Sequence, residues 1–239
     1  MTIEELTELA DLDEVAELFA VVWERPGDPP INGDVLRALS HSGNYIAGAR
    51  SGGRLIGGIV GWLGMHEPGE LHMHSHILGV LGGDEAKGLG FALKQHQRTW
   101  CLNHGVPTIE WTFDPLVRRN AYFNLTKLGA DAARYLVDFY GTMQDGINAG
   151  DESDRILVRW ALDSEKARAA AAGRPFEPKP TAAAILVKVP EDIVAIRRHD
   201  AELGHRWRLR VRESLGDAMA RGYRVAGFTR DFEYVLEPN

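Results

Sequence analysis

One stretch constrains this chain more than any other: Val80-Leu81-Gly82-Gly83-Asp84-Glu85-Ala86-Lys87-Gly88-Leu89-Gly90-Phe91-Ala92. It lies between a segment patterned as a strand, Leu71 to Val80, and one patterned as a helix, Leu89 to about Asn103. Gly88 and Gly90 let the backbone approach a ligand closely and adopt conformations that a Cβ forbids. The helix behind them directs unpaired N–H groups and the positive end of its dipole at the same point, a combination that binds an anion such as a pyrophosphate. The stretch lacks the third glycine and early βαβ position of a dinucleotide fingerprint, and it lacks the Gly-Lys-Ser/Thr of a P-loop.

The pattern around this loop is a mixed α/β one. A short strand fits residues 2–8. Val15, Leu18, Phe19 and Val22 recur at helical spacing up to Trp23, and Pro26, Gly27 and Pro29–Pro30 end that helix. A second helix fits Gly33 to Ser40. Tyr45 to Arg50, the turn Ser51-Gly52-Gly53 and Leu55 to Leu63 read as a hairpin. Thr108 to Phe113 is predicted as a strand, Leu116 to Leu128 as a helix, and Ala133 to Tyr140 and Ile156 to Leu162 as strands. This order predicts a mixed twisted sheet with helices on both faces.

The alanine- and proline-rich run Ala169 to Pro180 is the best linker candidate. A strand (Ala184 to Val189), a long helix (Glu191 to about Arg221) and one or two strands (Tyr223 to Leu236) follow. The expected division is therefore 1–164 as the main domain, 165–182 as linker and 183–239 as a C-terminal β-α-β extension docked on the core. The basic run Arg206 to Arg212 reads as a solvated face.

Residues 2–162 resemble the GNAT N-acetyltransferase superfamily, an α/β (α+β) fold. The family's loop reads Gln/Arg-x-x-Gly-x-Gly/Ala, against Glu85-Ala86-Lys87-Gly88-Leu89-Gly90 here. Downstream, Asn120 to Ala130, ending in Lys127-Leu128-Gly129-Ala130, resembles the family's helix closing on Lys-Leu-Gly-Phe. The resemblance implies that acetyl-CoA or another acyl-CoA lies between two splayed strands, Leu71–Val80 and Thr108–Phe113. Backbone groups of Leu78 and Val80 would then pair with the pantetheine arm, and the N–H groups of Lys87, Gly88, Leu89, Gly90 and Phe91 would hold the pyrophosphate. Asn120 and Asn124, four apart on one helix face, would supply polar contacts.

Departures from the family pattern bear on catalysis. Glu85 stands where the family has glutamine or arginine, and Arg118 where it often has asparagine. Leu125 takes the place of a tyrosine that protonates the leaving thiolate in many members. Tyr122 is the nearest substitute.

Aminolysis of a thioester needs a deprotonated amine, so a base is required. His72, His74 and His76 alternate on one strand face, and His74 matches the position of a glutamate base in some members. Glu110 and Asp114 are further candidates. A metal reading is weaker, because His72 and His76 would lie ~13 Å apart at a ~3.3 Å rise. A neighbouring histidine pair with Glu110 remains the alternative for such a metal hydrolase, and no metal is expected.

With a net charge of −7 over 239 residues, the chain lacks the cationic surface of a nucleic-acid binder. Its most apolar run, Leu55 to Met65, is too short for a membrane span, and its polar N-terminus is unlike a secretory signal. A cytoplasmic location is expected. Cys101 is the only cysteine, which excludes an internal disulfide. The expected function is acyl transfer from acyl-CoA to a small-molecule or peptide amine by direct attack, in a monomer or homodimer. The competing expectation is a CoA-binding or interaction module without catalysis.

Overall fold

The alternating strands of the first hundred residues pair largely in chain order. β1 (Thr2–Glu5), β2 (Tyr45–Ser51), β3 (Arg54–Met65) and β4 (Leu71–Val80) each lie antiparallel to the next. Two helices, α1 (Leu9–Val22) and α2 (Gly33–His41), connect β1 to β2. The Asn32 side chain caps α2 by accepting from the Val35 N–H at 3.1 Å. After the crossover helix α3 (Leu89–Asn103), β5 (Thr108–Phe113) joins β4 in parallel, with Met73 opposite Ile109 and His74 opposite Glu110. This computed structural model describes residues 1–141 and 151–239, which form two compact units, Met1–Glu110 and Trp111–Asn239.

Consecutive glycines on β3 show how helices reach both faces of the first unit's sheet. A Cβ on Gly58 would meet Phe19 of α1 at 3.4 Å, whereas one on Gly57 would meet Leu89 and Leu93 of α3 at 3.0 and 3.2 Å. Neighbouring strand residues point to opposite faces, so α1 and α3 pack on opposite sides. Val15, Leu18 and Phe19 form a buried stripe on α1, as their spacing predicts; Leu12 joins it, whereas Val22 is only half-buried.

In the second unit, the helix predicted from Leu116 starts later. The Asp114 carboxylate accepts the Leu116 N–H at 2.9 Å and holds the chain in a turn. Regular α-helix occupies only Arg118–Ala121 (α4), and Tyr122–Lys127 continues it as a π-helix. The predicted strand Ala133 to Tyr140 is instead Asp131–Leu136 (β6). It ends where Asp138 takes a positive φ of 43° and donates its N–H to Asp154. β6 pairs antiparallel with β7 (Arg155–Ala161). Part of the predicted linker is helical: Ser164 caps α5 (Glu165–Ala171).

The predicted long helix is broken. Asp200 leaves helical geometry (φ −149°, ψ 88°), and its side chain caps a new helix at Leu203. The pieces are α6 (Ile193–His199), α7 (Ala201–Val211), a π-turn (Arg212–Gly216) and α8 (Asp217–Ala220). β8 (Ile185–Lys188), β9 (Arg224–Phe228) and β10 (Glu233–Glu237) form a separate three-stranded antiparallel sheet with β10 central. It is tied to α4 and its surroundings by Thr126 donating to the Phe228 carbonyl and by the Tyr234 hydroxyl donating to the Pro115 carbonyl.

The basic run on α7 is only in part the solvated face expected, with Arg206 and Arg210 exposed. Arg208 is fully buried and grips Asp114 through both carboxylate oxygens, at 2.9 and 3.1 Å. Arg197 adds a third bond to Asp114 at 2.8 Å, and both arginines also reach Asp151. Arg212 pairs with Asp154 and Glu152. Spacing alone cannot reveal such partners, which lie far away in sequence.

Candidate active site

The glycine loop takes the geometry that its sequence predicts. β4 ends at Val80, a single 3₁₀ turn covers Asp84–Ala86, and Gly88 at φ +78° turns the chain into α3. That left-handed conformation is open to glycine at little cost. No side chain caps α3, and its first helical hydrogen bond runs from the Ala92 N–H to the Gly88 carbonyl. The amides of Gly88, Leu89, Gly90 and Phe91 are those that an α-helix leaves without an internal partner. Lys87 differs: its N–H is donated to the Asp84 carbonyl, and its ammonium pairs with the Asp84 carboxylate at 2.8 Å. Leu89 is buried, and Leu78, Val80, Gly90 and Phe91 are half-buried. The side chain of Glu85 lies outside the described residues.

Below this loop, β4 runs past its registered pairs with β5 and carries the histidines. A bulge places Ile77 opposite Val60 and Ser75 opposite Gly61, leaving His76 as the extra residue. The rings stay on one side even so. Trp62 of β3 lies 4.9 Å from His74 and 4.5 Å from His76, centroid to centroid. Burial first, then neighbouring His76, His72 and Lys94, pushes His74 down to about 4. Its ring is therefore neutral at physiological pH and is a weaker base than an ordinary imidazole.

Glu110 is 3% exposed, and its Oε2 meets His66 Nε2 at 2.8 Å. Sequence reading missed His66, which leads out of β3 into the turn toward β4. The signal was a histidine at each end of one hairpin connection, since Met65 pairs with Leu71. His66 stacks on His72 with centroids 4.3 Å apart. Gly64, opposite His72, leaves room for this: a Cβ there would lie 2.7 Å from the His72 ring. Donor atoms of His66, His72 and Glu110 lie within 4.8 Å of one another.

Asp114 is unsuited to the base role considered for it. Burial pushes its carboxyl up, but Arg208, Arg197 and Arg155 outweigh this and hold it well below the usual carboxylate range. Among the other sequence candidates, Asn124 is 4% exposed and accepts from Trp111 Nε1 at 3.3 Å. Asn120 is half-buried on α4. Tyr122, half-buried, begins the π-helix. Leu125 is buried, and Arg118 stacks over Phe232 and pairs with Glu191.

On the inner side of α3, Lys94 is buried and donates to Ser75 Oγ at 2.7 Å and to Gln97 Oε1 at 3.2 Å. Burial lowers its pKa to about 7 from 10.5. The unfolded chain therefore binds the extra proton between these values, and stability must rise with pH. Cys101, raised to about 12 by burial, opposes this above pH 9. Stability is thus expected to climb from pH 7 to 9, by up to about 1.4 kcal/mol per pH unit. Urea titrations of Lys94→Met should show that slope removed.

No protein-family model matches the chain, and no curated protein sequence matches it significantly. Solved structures do. An aminoglycoside 6'-acetyltransferase of type Ii aligns at 19% identity and TM-score 0.54, over 69% of this chain and 99% of its own. Naa50 of Arabidopsis thaliana, in complex with a bisubstrate analogue CoA-Ac-MVNAL, aligns at 17% identity and TM-score 0.52, covering 66% and 96%. The Salmonella typhimurium protein YncA, with its cofactor acetyl-CoA, gives 15% identity and TM-score 0.56, covering 69% and 95%. Among the described residues no helix is long and apolar enough to cross a membrane. With the strand order, the parallel β4–β5 junction and the glycine turn into α3, these matches give the chain the acyl-CoA N-acyltransferase fold of the GNAT superfamily.

Proposed function

We propose that this protein transfers an acyl group from acyl-CoA to an amine. The observation that carries the reading is the uncapped start of α3, where Gly88 turns the chain and the amides through Phe91 are free of helical partners. A diphosphate suits these amides and the helix dipole. Solved neighbours of the same fold hold acetyl-CoA or a CoA bisubstrate analogue, which supports acyl-CoA as co-substrate.

In this reaction the amine nitrogen attacks the thioester carbonyl carbon, forming a C–N bond. The tetrahedral intermediate collapses, the C–S bond breaks, and the thiolate leaves. The amine proton passes to the Glu110 carboxylate. His66, hydrogen-bonded to Glu110 and half exposed, carries it on to water. His74 lines the same strand position as a neutral ring. Leu125 has no proton to donate, and Tyr122, one helical turn away, is the candidate acid for the leaving thiolate.

Calorimetric titration with acetyl-CoA tests the cofactor half, and no binding at millimolar concentration would reject the reading. Gly90→Val separates ligand from fold. A Cβ at Gly90 meets only Leu78, at an ordinary 3.7 Å, so the variant should melt like the parent while losing roughly a hundredfold or more in acetyl-CoA affinity. The buried Leu125 favours a second reading, a CoA-binding module without turnover. Thiol release that depends on added amine would exclude it.

A further inference from the structure

The first unit contains a cavity of about 620 Å³, formed by the segment between α1 and α2, by α2 itself, and by Trp62 and His76. That volume suits a small molecule. Its walls carry no carboxylate, ammonium or guanidinium among the described residues. The side-chain carbonyls of both asparagines in the wall, its neutral acceptors, are already committed. Asn32 caps α2, and Asn44 accepts from the Leu63 N–H at 2.8 Å while donating to the Leu39 carbonyl. Desolvation lowers the His76 pKa, which keeps that ring neutral. What remains facing the cavity is proline, Ile31, Val35, Leu39, Leu63 and the Trp62 ring.

The cavity also borders the candidate base. Trp62 is the cross-strand partner of His74, and His74 lies opposite Glu110 on β5. A ligand stacked on Trp62 therefore sits one strand from His74 and two from Glu110.

We infer that this cavity seats the acceptor, and that the acceptor is a monoamine on an apolar, aromatic body rather than a polycation. The inference rests on the acyl-transfer reading for its chemistry but not for its binding. A polyamine or aminoglycoside would leave several ammonium groups facing apolar walls with no counter-charge, whereas an aryl ring gains the Trp62 face.

The test compares phenethylamine and tryptamine with spermidine and kanamycin as acceptors for acetyl-CoA. The aryl amines should show kcat/KM at least about tenfold higher. Trp62→Ala should raise KM for them about tenfold while kcat and calorimetric acetyl-CoA affinity stay within about threefold, and Trp62→Phe should restore most of the loss. Val35 is exposed at the rim, and Val35→Asp should shift preference toward spermidine. Faster turnover of spermidine or kanamycin by the parent, or a Trp62→Ala effect equal for all acceptors, would overturn the inference. If no amine is acetylated, phenethylamine binding in the presence of CoA decides separately. Binding that Trp62→Ala abolishes supports the cavity while the acyl-transfer reading fails, and no binding overturns the inference itself.

Discussion

Arg208→Ala is expected to destabilise the protein by about 3–5 kcal/mol, the cost of leaving a buried charge without its partner. Arg208 is fully buried, and its guanidinium holds both oxygens of Asp114 while also reaching Asp151. Without it, Arg197 is left to bridge Asp114 and Asp151. Chemical denaturation should show the loss directly, and the melting temperature should fall on the order of 10 °C. Asp114→Ala should cost a similar amount. The double variant should cost clearly less than the two summed, because each single change already breaks the same cluster. Additive losses would mean that the pair contributes independently.

The pH dependence follows from the same cluster. The folded pKa of Asp114 is depressed, so its contribution is present above the usual carboxylate range and is lost as pH falls through it. Acid should therefore unfold the parent progressively below about pH 4, and Asp114→Asn should flatten that limb.

The second large effect is catalytic. Glu110→Gln keeps the shape of a buried side chain but removes the proposed proton acceptor, and kcat should fall about 10²–10⁴-fold. Acetyl-CoA affinity should stay unchanged, because the role proposed for Glu110 is to accept the amine proton rather than to hold the cofactor. His66→Ala should lower kcat less, about tenfold, since water can replace an exposed imidazole as the exit for the proton. Steady-state kinetics beside calorimetry separates the two effects. Full kcat in Glu110→Gln would remove Glu110 from the reaction.

The two groups differ in how readable they were. Glu110 was visible as an acid on a strand, because alternation fixes which residues share a face. His66 was not, because its bond to Glu110 joins residues 44 apart, with β4 and α3 between them. His74 was visible by position, but its lowered basicity depends on the burial and neighbours around its ring. Asp114 read as a further candidate base at a strand end, whereas its partner Arg208 lies 94 residues away.

What the sequence determined by itself was the order of strands and helices, the hairpin at Ser51 to Gly53 and the glycine turn into α3. These are set by local periodicity and by backbone conformations open to few residues. Boundaries failed where a side chain competed locally with the helix, as Asp114 and Asp200 do through turns and caps. Tertiary structure alone decided the Glu110–His66 pair, the buried arginine clamp and the uncharged wall beside Trp62. Each is a contact between distant segments, and its energy depends on burial that no local pattern encodes.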